Sequence, residues 1–143
     1  MVVPQDHVRT IERLAQNMFI CPSHASQVAA LGALQDTLES EANLAVYQEN
    51  RTLVEDGLIE AGLTGFAPPD GAFYFYVDIS EFSDDSLGLC RDILDEAGVA
   101  VTPGLDFDPE RGHHFMRLSY ARSTQDIREG MGKLVTYFKA RRS

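Results

Sequence analysis

The sequence predicts an α+β domain: a small, mostly antiparallel sheet of three to four strands packed against helices, preceded by an N-terminal helical segment. Three observations carry this prediction. Apolar residues recur at three- and four-residue spacing through most of the first 61 residues. Short runs rich in β-branched and aromatic residues then appear near 72–77, 99–102 and 114–120. Helical patterns separate the first two runs and follow the last, giving the order ααα–β–α–β–β–α.

Each element has a local reason. From Pro4 to about Met18, Val8, Ile11, Leu14, Ala15 and Met18 share a helical face, and Pro4 suits the first turn. Cys21-Pro22 breaks this helix, because a residue before proline disfavours the helical region. Ser23 can cap a second helix carrying Val28, Leu31, Leu34 and Leu38. A third runs from about Asn43 to Ala61, with Gly62 as its stop. Ala67-Pro68-Pro69-Asp70-Gly71 is a turn, and Ala72–Val77 reads as a strand. Ser83 can cap a helix from Asp84 to Ala97, closed by Gly98. Val99–Thr102 reads as a buried strand ending at Pro103-Gly104, and His114–Tyr120 as another strand. Ser123 with Asp126 resembles a capping box opening a last helix that carries Ile127, Met131, Leu134 and Phe138.

Composition narrows the function. The chain has 143 residues, 44% of them apolar, and a net charge of −10. That is the profile of one ordinary globular domain spanning 1–143, with the helices of about 1–40 as an N-terminal extension. The acidic balance argues against a nucleic-acid partner, which needs clustered Lys and Arg. No apolar run is long enough for a membrane span and the N-terminus lacks signal-peptide features, so a cytoplasmic location is expected. Cys21 and Cys90 form no disulfide framework. Ten arginines face only two lysines, Lys133 and Lys139, both in the terminal helical stretch. Chemistry that needs a buried lysine has almost no candidate here.

Most motif readings are weak. Asp106, Asp108 and Glu110 stand beside His113 and His114, but the loop lacks EF-hand spacing. Adjacent histidines on an extended segment point to opposite faces, so no metal site is predicted. Cys90 sits in an apolar helical stretch, as a small hydrophobe does. There is no G-x-S-x-G, G-x-G-x-x-G or Walker sequence. Arg117 differs. Strand parity places it on one face with Phe115 and Ser119, while Met116, Leu118 and Tyr120 take the other. A guanidinium there needs a partner, and spacing alone leaves open an internal salt bridge, an exposed position or a ligand carboxylate.

Several segments resemble the C-terminal, small domain of class I/II pyridoxal-phosphate aminotransferases of the aspartate aminotransferase fold. They are Tyr47 with Asn50-Arg51, Pro69-Asp70-Gly71-Ala72-Phe73-Tyr74, Gly98–Gly104 with Phe107, and Arg117-Leu118-Ser119-Tyr120-Ala121. The resemblance covers essentially the whole chain and implies a fragment that begins after the catalytic Schiff-base lysine. It assigns Arg117 to the substrate α-carboxylate, Gly104 with Pro103 to a loop near the substrate, and Phe73 to the side-chain pocket. Asp108 departs from the glycine common after Phe107, which affects the loop's shape. The resemblance further implies amino-group transfer between an amino acid and a 2-oxo acid in a homodimer. Pyridoxal 5'-phosphate is expected in the full-length protein, with none bound to this chain alone, and the isolated chain is expected to be inactive. The alternatives are a non-enzymatic ligand-binding or interaction module, or a lyase or decarboxylase of the same fold.

Overall fold

The computed structural model describes residues 2–142. Backbone proximity divides the chain into two compact units, Met1–Glu41 and Ala42–Ser143. The first contains α1 (Gln5–Met18), α2 (His24–Gln35) and the opening of α3 (Leu38–Ala61). Ser23 caps α2 as the sequence predicts, its hydroxyl accepting from the Ser26 amide at 3.2 Å. The α2–α3 break falls earlier than the pattern suggested. Asp36 ends α2 in an extended conformation and its Oδ1 accepts from Leu38 N, so Leu38 opens the third helix instead of closing the second. No residue of α1 or α2 is buried.

The second unit holds the sheet: β1 (Tyr74–Asp78), β2 (Thr102–Pro103) and β3 (Phe115–Ser119), in the order β1-β3-β2 with both pairings antiparallel. Strand alternation separates two faces. Phe75, Val77, Met116 and Leu118 point into the core, where they meet Val54 and Leu58 of α3 and Ile127, Met131, Leu134 and Phe138 of α5 (Thr124–Arg141). Cys90 and Ile93 close the same core from α4 (Ser86–Asp92) and the π-helical turn Ile93–Ala97 that continues it. Helices therefore cover one side of the sheet. Tyr74, Tyr76, Thr102, Phe115, Arg117 and Ser119 occupy the other, and none of them is buried.

Three local expectations are corrected. Asp85, not Ser83, caps α4, its carboxylate accepting from Gly88 N while Ser83 braces the turn through the Asp85 amide. Val99–Val101 stays outside the sheet and β2 shrinks to two residues, since it pairs with β3 only opposite Arg117 and Met116. His113 and His114 lie in the 3-10 turn Gly112–His114, not an extended segment, and their rings sit 4.0 Å apart. Gly98 does close its helix, with φ of 66° in the left-handed region. Among the described residues, no helix is long and apolar enough to cross a membrane.

Candidate functional site

The open face of the sheet is built around Arg117 on the central strand. Tyr76 of β1 and Thr102 of β2 are its cross-strand neighbours. Its guanidinium carbon lies 4.6 Å from the Phe107 ring centre and 5.2 Å from that of Tyr74. No ion pair among the described residues includes Arg117, and its Nε is buried without a partner. Of the arrangements that spacing left open, the internal salt bridge is absent among these residues. A planar fork of N–H donors, half-buried and unpaired, suits a carboxylate from outside the chain.

Gly104 sits where two backbone segments nearly touch. A Cβ built on it would lie 2.5 Å from Gly112 O and 2.7 Å from both Phe115 O and the Tyr76 hydroxyl. A Cβ on Gly112 would in turn lie 2.3 Å from Gly104 C and O. The 3-10 turn Gly104–Asp106 therefore presses directly against the turn before β3. Gly104 O accepts from the amides of Phe107 (2.9 Å) and Asp108 (3.0 Å), which delivers the Phe107 ring to Arg117. Asp108 steadies the rest of the loop by accepting from the Glu110 and Arg111 amides and the Arg111 Nε, each at 3.0 Å. Those contacts, the Arg111 amide foremost, hold its carboxyl below the usual carboxylate range.

Phe73 stands at the start of β1, 45% exposed, its ring edge-on to Tyr74 at 5.9 Å. It follows Ala72, whose φ of 58° is unusual for a residue with a side chain. Tyr120 holds this strained turn: its amide donates to Phe73 O at 2.9 Å and its hydroxyl to Ala72 O at 3.3 Å. Asn50, fully buried on α3, anchors the same segment by donating Nδ2 to Tyr120 O (3.0 Å) and Arg122 O (2.8 Å). The structure thus sets Arg117 beside Tyr74 and Phe107, carries Phe107 on Gly104, and joins Phe73 to the group through Tyr74. Phe107 and Asn50 stood in the sequence motifs without a role, and Tyr74 and Tyr76 had none either. Period-2 alternation along Ala72–Val77 is the signal that could have set Tyr74 and Tyr76 on one face, whereas nothing local points to Phe107 or Asn50.

Tyr76 stacks on Phe115 at 4.8 Å, and burial, ahead of the Asp108 charge, pushes its hydroxyl pKa up. Both lysines lie on α5, the helix packed on the opposite side of the sheet. Lys133 pairs with Glu129 and Lys139 with Glu60, each at 2.6 Å. The described residues also include no group of three or more His, Cys, Asp or Glu placed to hold a metal ion.

Comparison with known proteins shows the family. The family model for aminotransferase class I and II matches residues 1–134. The chain belongs to that family. A valine–pyruvate aminotransferase from Mycobacterium tuberculosis is 43% identical over 136 residues, covering 94% of this chain and 35% of the relative. A solved structure of a protein from Silicibacter pomeroyi assigned to the aminotransferases is 60% identical, with a TM-score of 0.88, covering 99% of this chain and 38% of that one. An aminotransferase structure from M. tuberculosis gives 42% identity and a TM-score of 0.88, over 96% of this chain and 36% of the other. The chain therefore spans a little over a third of the aminotransferases it matches.

Proposed function

We propose that this chain forms the C-terminal, substrate-closing part of a pyridoxal-phosphate aminotransferase, and that Arg117 binds the substrate α-carboxylate. The observation that carries the reading is the half-buried Arg117 guanidinium, which has no carboxylate partner among the described residues and an orphaned Nε. An unpaired charge at such a position is costly, and a bound carboxylate supplies two acceptors in the geometry its fork fits. Gly104 shapes the loop beside that carboxylate, and Phe73, at the edge of the open face, flanks the substrate side chain. Pyridoxal phosphate, when bound to the whole enzyme, supplies the electron sink for amino-group exchange. The residues present here do not fit a covalent anchor for it, because both lysines are paired on the far side of the sheet. This part of the enzyme therefore binds and orients. The same reading makes the whole protein a cytoplasmic homodimer acting on an amino acid and a 2-oxo acid, and the isolated chain inactive.

The test is Arg117→Ala in the full-length protein. Losing a paired, charge-assisted contact costs about 2–5 kcal/mol, roughly 30-fold or more in kcat/KM. Arg117→Lys is expected to recover only part of it, since a point charge cannot reproduce the fork. An alanine variant as active as the parent would remove Arg117 from the site.

A further inference from the structure

We propose that Phe107 and Tyr74 are positioning residues that hold the Arg117 guanidinium in a fixed plane, Phe107 being the principal one. The inference rests on the reading of Arg117 as a carboxylate-binding group and adds what keeps it ready. The two rings approach from opposite flanks of the central strand. Tyr74 comes from β1, and Phe107 from the turn that follows β2. They lie 5.2 and 4.6 Å from the guanidinium carbon, within cation–π reach. Both rings are otherwise exposed, Phe107 at 52% and Tyr74 at 37%, so core packing does not account for their placement.

An arginine side chain is rich in rotamers, and a ligand that must order it loses affinity by the entropy removed. Rings within cation–π reach of the guanidinium limit that freedom beforehand. The device also gives Gly104 a purpose beyond close packing. Its carbonyl holds the amide of Phe107, so the Gly104–Gly112 contact fixes where the ring stands.

Nuclear magnetic resonance of the isotopically labelled 143-residue chain tests this through the Arg117 Nε–Hε signal, with pyruvate as the carboxylate probe. Ring currents are expected to move this signal upfield of the exposed arginines in the parent. Phe107→Leu, which keeps apolar bulk but removes the ring, should return it toward the others and weaken pyruvate binding by about fivefold. Phe107→Tyr should restore both, a rescue that a purely structural role for the ring's bulk would not require. Unchanged backbone amide signals from β1 and β3 would show that the leucine variant is folded. An Nε–Hε signal unmoved by Phe107→Leu overturns the inference, as does a Leu variant that binds pyruvate like the parent. If pyruvate shifts the parent signal no more than those of the exposed arginines, the carboxylate reading fails instead, and the signal positions alone still decide whether the rings hold Arg117.

Discussion

Replacing Gly104 by alanine is expected to destabilise the second unit by about 2–3 kcal/mol, the upper part of the range for overpacking. The new methyl would meet Gly112 O at 2.5 Å and Phe115 O and the Tyr76 hydroxyl at 2.7 Å. Relief to ordinary contact requires separations to grow by about 0.7 Å or more, and two of the three obstacles are backbone atoms that carry the start of β3 with them. Urea unfolding followed by tyrosine fluorescence reads the effect as a fall of about 1–2 M in the midpoint at unchanged slope. Gly132→Ala is the matched control. Gly132 lies inside α5 with nothing within 4 Å of a built Cβ, so alanine there should stabilise by about 1 kcal/mol through helix propensity. The same chemical change thus has opposite signs at two sites. A Gly104→Ala midpoint within about 0.5 kcal/mol of the parent would refute the close-packing argument, because that is the scatter of ordinary surface substitutions.

Asn50→Ala should cost about 2–4 kcal/mol in the same assay, since it takes the side-chain donor from the Arg122 carbonyl, leaves the Tyr120 carbonyl only the Arg122 amide, and opens a small cavity. Burial pushes the Cys90 thiol up to about 11, whereas Cys21 is exposed. A disulfide reagent near neutral pH should therefore titrate one thiol quickly and the second only after denaturation. Asp78 is held below its ordinary 3.8 by Ser80, first through the hydroxyl and then through the amide. A carboxylate depressed in the folded state stabilises fully above its unfolded pKa and loses that contribution as pH falls through the folded value. Asp78→Asn should accordingly flatten the decline of stability below about pH 4, measured as urea midpoint against pH.

Much of the site's frame was legible in the sequence because parity along a strand is a local property. Alternation alone separated Met116 and Leu118 from Arg117, and β3 turns the first two to the core and Arg117 to the open face. The Ser23 and Ser123 caps are equally local and appear as read, each hydroxyl accepting from the amide three residues on. The features that were not legible depend on distant chain. β2 is short: only Thr102 and Pro103 pair with β3, although β3 runs on to Ser119, and the apolar run Val99–Val101 cannot show where that pairing stops. Phe107 reaches Arg117 through the Gly104–Gly112 contact, a meeting of backbones eight residues apart that leaves no periodic trace. Asn50 reads as a polar residue on a helix, and only the fold brings the Tyr120 and Arg122 carbonyls, just past the end of β3, to its amide. The paired histidines were misread for a related reason: the tight turn after Gly112 overrides the extended pattern that their neighbours suggest.

The most direct test of the carboxylate site compares two substrates in the full-length enzyme: an amino acid, and the amine that lacks only its α-carboxylate. In the parent, the amino acid should be preferred by a large factor in kcat/KM, because only it engages the Arg117 fork. In Arg117→Ala most of that preference should collapse, with the amino acid losing rate while the amine changes little. A preference that survives intact in the alanine variant would show that another group reads the carboxylate, and would contradict the account.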